Sequence, residues 1–169
     1  MKPTKTNAAR LLDSLAIPYE LRPYDVDLND LSAPNVARKI GMPVEQVFKT
    51  LLTETVVTVG KPDYLFAVVP GDAELDLKKL AQAAGAKKAE LASLKEVEPL
   101  TGYIRGGVTV MGAKKPFPAY ADETIELFDI ISVSAGQRGL QVILSPADYL
   151  RATNATLADL TKSQAPPSA

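Results

Sequence analysis

The sequence predicts a single compact α/β domain in which helices surround a mixed, barrel-like central β-sheet. Three observations lead there. The chain has 169 residues, 46% of them hydrophobic, a length and composition typical of one globular domain. Segments with helical spacing and segments with strand alternation are interleaved without a regular βαβ repeat. No internal repeat or linker divides them, so residues 1–161 read as one domain. Residues 162–169, rich in Ala, Pro and Ser, read as a disordered tail.

Element by element, Thr4 or Thr6 can cap a first helix over 4–15, where Ala8, Leu11, Leu12 and Leu15 share a face. Ile17-Pro18 ends it. Residues 19–24 alternate as a strand, and 25–30 form an acidic loop. Ser32 caps a helix over 33–40, with Pro34 in its first turn and Gly41 past its end. Pro43 opens a short helical turn, 47–53 read as a strand, and Gly60 to Asp63 as a turn before a buried strand over 64–69. Asp76 caps a helix over 77–84, stopped by Gly85. Ser93 and Glu96 have capping-box spacing for a helix to about Glu98, which Pro99 to Gly102 breaks. Residues 104–110 read as a strand holding two glycines, and 112–118 as a basic loop. Strands follow over 119–121 and 130–134. A tight turn at Gly136-Gln137-Arg138-Gly139 leads to a strand over 140–144 and a helix from Pro146 to Ala152 capped by Ser145.

Histidine and cysteine are both absent. That removes the Ser–His and Cys–His nucleophile pairs and the zinc hydrolase sites, and no metal or cofactor is expected. Any chemistry must use Lys, carboxylates, hydroxyls, backbone amides or the substrate itself. No carboxylate pair stands out as an acid–base couple. No apolar run of membrane-spanning length occurs, so no membrane partner is expected and the protein reads as cytoplasmic.

The net charge is −1, but residues 78–115 carry eight basic and three acidic side chains. Such asymmetry fits either a phosphate-facing patch or an ordinary solvated surface.

Three motifs could carry function. Lys49 lies in Val47-Phe48-Lys49-Thr50-Leu51-Leu52, flanked by apolar neighbours. It reads either as a snorkelling strand lysine or as a cation anchoring a carbonyl or phosphate in a cleft. Gly106 and Gly107 interrupt an apparent strand, where glycine marks a bulge or a close ligand approach; free N–H groups there could polarise a carbonyl. Ser134 ends a strand before the turn containing Arg138, which could bind phosphate or pin the loop.

Together and in this order, these segments resemble the YbaK/EbsC family. Its members are free-standing Cys-tRNA(Pro) deacylases related to the editing domain of bacterial prolyl-tRNA synthetases. The resemblance runs from about Thr6 to Leu160 and includes Leu75-Asp76-Leu77-Lys78-Lys79, Gly85-Ala86-Lys87-Lys88 and Thr101-Gly102-Tyr103. It implies the mixed barrel-like fold and hydrolysis of the ester joining an amino acid to the tRNA 3′ end. It implies Lys49 as the key active-site residue, with Gly106 and Gly107 amides at the carbonyl oxygen. Tyr24, Thr50 and Ser134 would line the pocket. Lys87, Lys88, Arg105, Lys114, Lys115 and Arg138 become candidates for tRNA phosphates, and prolyl-tRNA synthetase a candidate transient partner. The substrate's own thiol could serve as nucleophile. Departures fall at the pocket rim, where Ala135, Gln137 and Gln141 replace the family's usual residues and the proline after Gly106-Gly107 is missing. Three readings compete: a deacylase for another small amino acid such as Ala or Ser, a non-catalytic module binding aminoacyl-tRNA or a nucleotide, and a structural partner domain, which would need no open pocket.

Overall fold

A computed structural model describes residues 5–56 and 63–162. The predicted turn at Gly60 to Pro62 and the tail over 163–169 lie outside the described residues.

The helix ends follow local chemistry. Helix α1 (Asn7–Ser14) starts at Thr6, whose side chain accepts from the Ala9 amide. Helix α2 (Ala33–Ile40) starts at Ser32 and stops at Gly41, which takes the left-handed φ of 72°. Asp76 accepts from the Lys78 and Lys79 amides to start α3 (Leu77–Ala84). Ser145 starts α5 (Pro146–Thr153) by accepting from Asp148 N. Each side-chain oxygen satisfies an amide that the first helical turn leaves without a partner.

Helix α4 (Leu94–Thr101) runs through Pro99 instead of ending near Glu98. Val97 and Leu100 pack into an apolar cluster with Phe66 and Leu52, and Thr101 Oγ1 donates to Val97 O at 2.6 Å. Tertiary packing and this back-bond outweigh the lost amide, and Gly102 ends the helix at φ 80°.

The strands form two sheets. β1 (Glu20–Pro23), β7 (Leu140–Leu144) and β6 (Ile131–Gln137) pair antiparallel in the order β1-β7-β6. The larger sheet has the order β4-β2-β3-β5-β8, comprising β4 (Lys88–Leu91), β2 (Phe48–Val56), β3 (Asp63–Pro70), β5 (Ala119–Asp122) and β8 (Thr156–Ala158). Its β4, β2 and β3 are antiparallel neighbours, while β5 and β8 join in parallel. A parallel bridge between Val47 and Ser132 connects the sheets. Among the described residues neither sheet closes on itself, so the barrel-like expectation is corrected to two open sheets, one antiparallel and one mixed. Closure depends on stagger between strands, which local alternation does not encode.

Residues 104–110 are irregular, not a strand. Gly102 and Gly106 hold φ of 80° and 89°, outside the β region, and the loop is held instead from within. Tyr103 is buried and its hydroxyl donates to Met111 O at 2.7 Å. Burial raises its pKa to about 12, so it stays a donor.

The main core lies between α1, α5 and one face of the small sheet, with Phe48 of β2 reaching into it. A second core sits under α3 on the opposite face of β3. The segment 159–162 straps these parts together. Leu160 N donates to Asp122 Oδ1 at 2.9 Å, and Leu160 O accepts from Asp76 N at 2.7 Å. Lys79 Nζ donates to Asp159 and to Thr161 O. Lys162 N donates to Glu74 O at 2.9 Å, so the residue expected to open the tail is bound to the fold.

Candidate active site

Strand alternation divides β2 as expected. Phe48 turns into the main core, and Val47 packs under α2. Lys49 stands on the Val47 side, opposite Val69 of β3. Its ammonium is about half-buried, and burial lowers its pKa below the usual lysine value, with Asp72 and Glu74 pulling weakly the other way. Among the described residues, Lys49 makes no ion pair. It faces a cavity of about 590 Å³ whose walls include Leu51, Leu77 and Leu91, with Glu74, Lys78 and Lys162 also lining it.

The loop carrying Asp72 and Glu74 is pressed against β2 by Gly71. A Cβ there would lie 2.7 Å from Ala33 Cβ and 2.8 Å from Val47 O, far inside contact distance. Only glycine fits, and its signal in the sequence is the turn dipeptide Pro70-Gly71.

A second group of predicted residues gathers at the β6–β7 turn. Ser134 pairs with Gln141, which pairs with Arg22 on β1. Ser132 Oγ donates to Gln141 Oε1 at 2.7 Å, and Ser134 Oγ accepts from Gly136 N at 3.1 Å. From the bridge between Val47 and Ser132, Lys49 and Ser134 each stand two residues further on in parallel strands. They therefore occupy the same end of the joint between the sheets, although Ser134 does not line the Lys49 cavity. Tyr24 N donates to Gly139 O at 2.9 Å, placing Tyr24 beside the turn.

Gly106 and Gly107 pack on the same turn. A Cβ on Gly107 would meet Gln137 Cα at 2.9 Å and Gln137 C at 3.0 Å; one on Gly106 would sit 3.3 Å from Arg138. The Gly107 amide donates to Ile104 O at 2.8 Å and is thereby spent within the loop. Gly106 is exposed. Arg138 Nε donates to Arg105 O at 2.8 Å, so the guanidinium pins the loop, the second of its two sequence readings.

Thr50 is not part of this assembly. As a strand neighbour of Lys49 it faces the opposite way, and its Oγ1 is buried without a well-formed hydrogen bond. Its neighbour there is Tyr149, whose hydroxyl is equally buried and whose pKa burial drives upward, with Thr50 tempering the rise.

The basic residues do not form one patch. Lys88 pairs with Val56, seven residues along β2 from Lys49 and so ~23 Å away, and its ammonium pairs with Glu90 at 2.6 Å. Lys87 N donates to Val56 O at the same end. Lys115 lines a separate cavity with Phe66, Phe117 and Asn154, on the other face of β3. Lys114 and Arg105 are exposed in the loops after α4. Among the described residues no cluster of His, Cys, Asp and Glu suited to a metal ion occurs, and no helix is long and apolar enough to cross a membrane.

The chemistry such a site supports is electrostatic. A half-buried ammonium in an apolar-walled cavity can stabilise negative charge developing on a bound ester far better than it could in water.

Comparison with known proteins points the same way. A family model described as the aminoacyl-tRNA editing domain matches residues 31–152. EbsC of Enterococcus faecalis, whose name assigns it provisionally to Cys-tRNA(Pro) and Cys-tRNA(Cys) deacylation, is 45% identical over 158 residues, 93% of each chain. The multifunctional Ser/Thr-tRNA deacylase ProXp-y of Escherichia coli is 37% identical over 93 residues, 54% of this chain and 56% of that one. A crystal structure described as a candidate trans-editing enzyme for prolyl-tRNA synthetase superposes with a TM-score of 0.76 at 26% identity, covering 95% of this chain and 100% of the other.

Proposed function

The chain belongs to the aminoacyl-tRNA editing domain family, and from that premise we propose that it is a trans-editing deacylase that cleaves the ester joining a wrongly attached amino acid to the tRNA 3′ end. Its preferred substrate is Cys-tRNA(Pro), handled in the cytoplasm, with prolyl-tRNA synthetase as a transient partner. The observation that carries the reading is Lys49, a half-buried cation on an apolar cavity in a chain without histidine or cysteine.

A site without its own nucleophile can use the substrate's. The cysteinyl thiol attacks its own carbonyl carbon, forming the C–S bond of a thiolactone. The C–O ester bond breaks, and the thiol proton ends on the departing ribose oxygen. Water then opens the thiolactone. Lys49 stabilises the oxyanion, the exposed Gly106 supplies a backbone amide donor, and Ser134 and Tyr24 position the substrate. Holding an intramolecular nucleophile in place is worth roughly 7–11 kcal/mol.

The test is deacylation of Cys-tRNA(Pro) beside Ser-tRNA(Pro), which differ by one atom. The cysteinyl ester should react much faster; equal rates would replace the thiol with a bound water. The likeness to ProXp-y favours a second reading, in which seryl or threonyl esters are the substrates, and a panel of mischarged tRNAs separates the two.

The role of Lys49 also predicts a pH dependence. Lysine is cationic below its pKa, and burial lowers that of Lys49. Enzymatic rate above background should therefore fall on the alkaline side, beginning below the ordinary lysine range. Lys49→Arg should move that fall upward, because a guanidinium stays charged. A profile flat through the lysine range in both proteins would deny Lys49 an electrostatic role.

A further inference from the structure

The strap over 159–162 delivers a cation to the Lys49 cavity from outside the segment that the family model covers. Lys162 and Lys78 line the same cavity as Lys49, whereas none of the phosphate candidates Lys87, Lys88, Arg105, Lys114, Lys115 and Arg138 does. The cavity's carboxylates are already engaged. Asp76 accepts from the α3 amides, and Glu74 holds Lys162 at 3.1 Å. Lys78 is exposed and, among the described residues, makes no ion pair. The Lys162–Glu74 pair is itself exposed on both sides, 54% and 74%. Such a pair is weak and readily exchanged for another anion. The exposed Leu91, which lines the same cavity, offers an apolar surface for a ribose or base.

We propose that Lys78 and Lys162 grip the phosphodiester backbone next to the 3′ end of the RNA substrate, and that Glu74 parks Lys162 until RNA displaces it. This rests on the deacylase reading. The strap explains how an exposed lysine is kept in position: hydrogen bonds to Glu74 O, Asp76 N and the Lys79 ammonium fix its backbone, leaving only the side chain to move.

The experiment compares two substrates of the intact protein, an aminoacylated acceptor-stem minihelix and the corresponding aminoacyl-adenosine, which has no phosphate. Lys78→Gln and Lys162→Gln should each raise KM for the minihelix roughly fivefold, with kcat little changed. The dependence of log KM on log salt should flatten by about 0.7 for each lysine removed. The loss on aminoacyl-adenosine should be clearly smaller. Lys162→Arg should restore the minihelix KM, and Glu74→Gln should lower it by freeing Lys162. Equal losses on both substrates, an unchanged minihelix KM, or a KM raised by Glu74→Gln would overturn the proposal. If wild type deacylates no aminoacyl-tRNA at all, the deacylase reading fails instead.

Discussion

Lys49→Ala is expected to lower the deacylation rate by a factor of about 100 to 1,000, the usual effect of removing one preorganised group that stabilises an oxyanion. Its stability should hardly change. The ammonium is half-buried, with burial working against its charge, and no carboxylate within ion-pair distance among the described residues compensates. Its removal gives up no favourable pair and relieves a desolvated charge. Single-turnover deacylation, with urea unfolding of the same preparations, checks both halves. A variant that unfolds normally yet keeps wild-type turnover would sink the assignment of Lys49.

Gly107→Ala should damage both stability and activity. The added Cβ would lie 2.9 Å from Gln137 Cα and 3.0 Å from its carbonyl carbon. These are backbone atoms of the β6–β7 turn, which cannot swing aside as a flexible side chain would. Overpacking of this kind costs about 1–3 kcal/mol. The loop would be pushed off the turn, carrying Gly106 with it, and a displacement near 1 Å at a reacting centre can cost ~100-fold in rate. Gly85→Ala is the comparison. Gly85 has a left-handed φ of 68° but open space around its Cβ position, so alanine there costs roughly 1–2 kcal/mol of backbone strain without moving the turn. Matched urea midpoints with a rate loss confined to Gly107→Ala would show that the close approach serves the site. Equal turnover in the two variants would show that Gly107 serves packing alone.

Much of this was legible in the residues. Thr6, Ser32, Asp76 and Ser145 mark helix starts because capping is a local interaction, and all four cap as read. The alternation around Lys49 separated its two faces because β2 has a different core on each side. Strands β4 and β8 escaped. β4 buries only Ala89, and the three-residue β8 has no fully buried position, so neither carries an apolar rhythm. The segment 104–110 imitates a strand through Ile104, Val108 and Val110, while the positive φ of Gly106 reveals itself only in three dimensions. The site was half legible. Gly106, Ser134 and Tyr24 gather at the β6–β7 turn, whereas Lys49 faces a cavity that none of them lines. Lys162 was invisible as a cavity residue, because its partner Glu74 lies 88 positions earlier and no local pattern links them.

That separation bears on the order of events during synthesis. The cavity wall around Lys49 is finished only when the strap closes over residues 74–79 and anchors to Asp122. Contacts between residues so distant in the chain form late, because a large loop must close before they can reward it. A nascent chain still attached to the ribosome upstream of Leu160 can hold both sheets yet lack one side of its cavity. The strap therefore completes the cavity only after both sheets have paired.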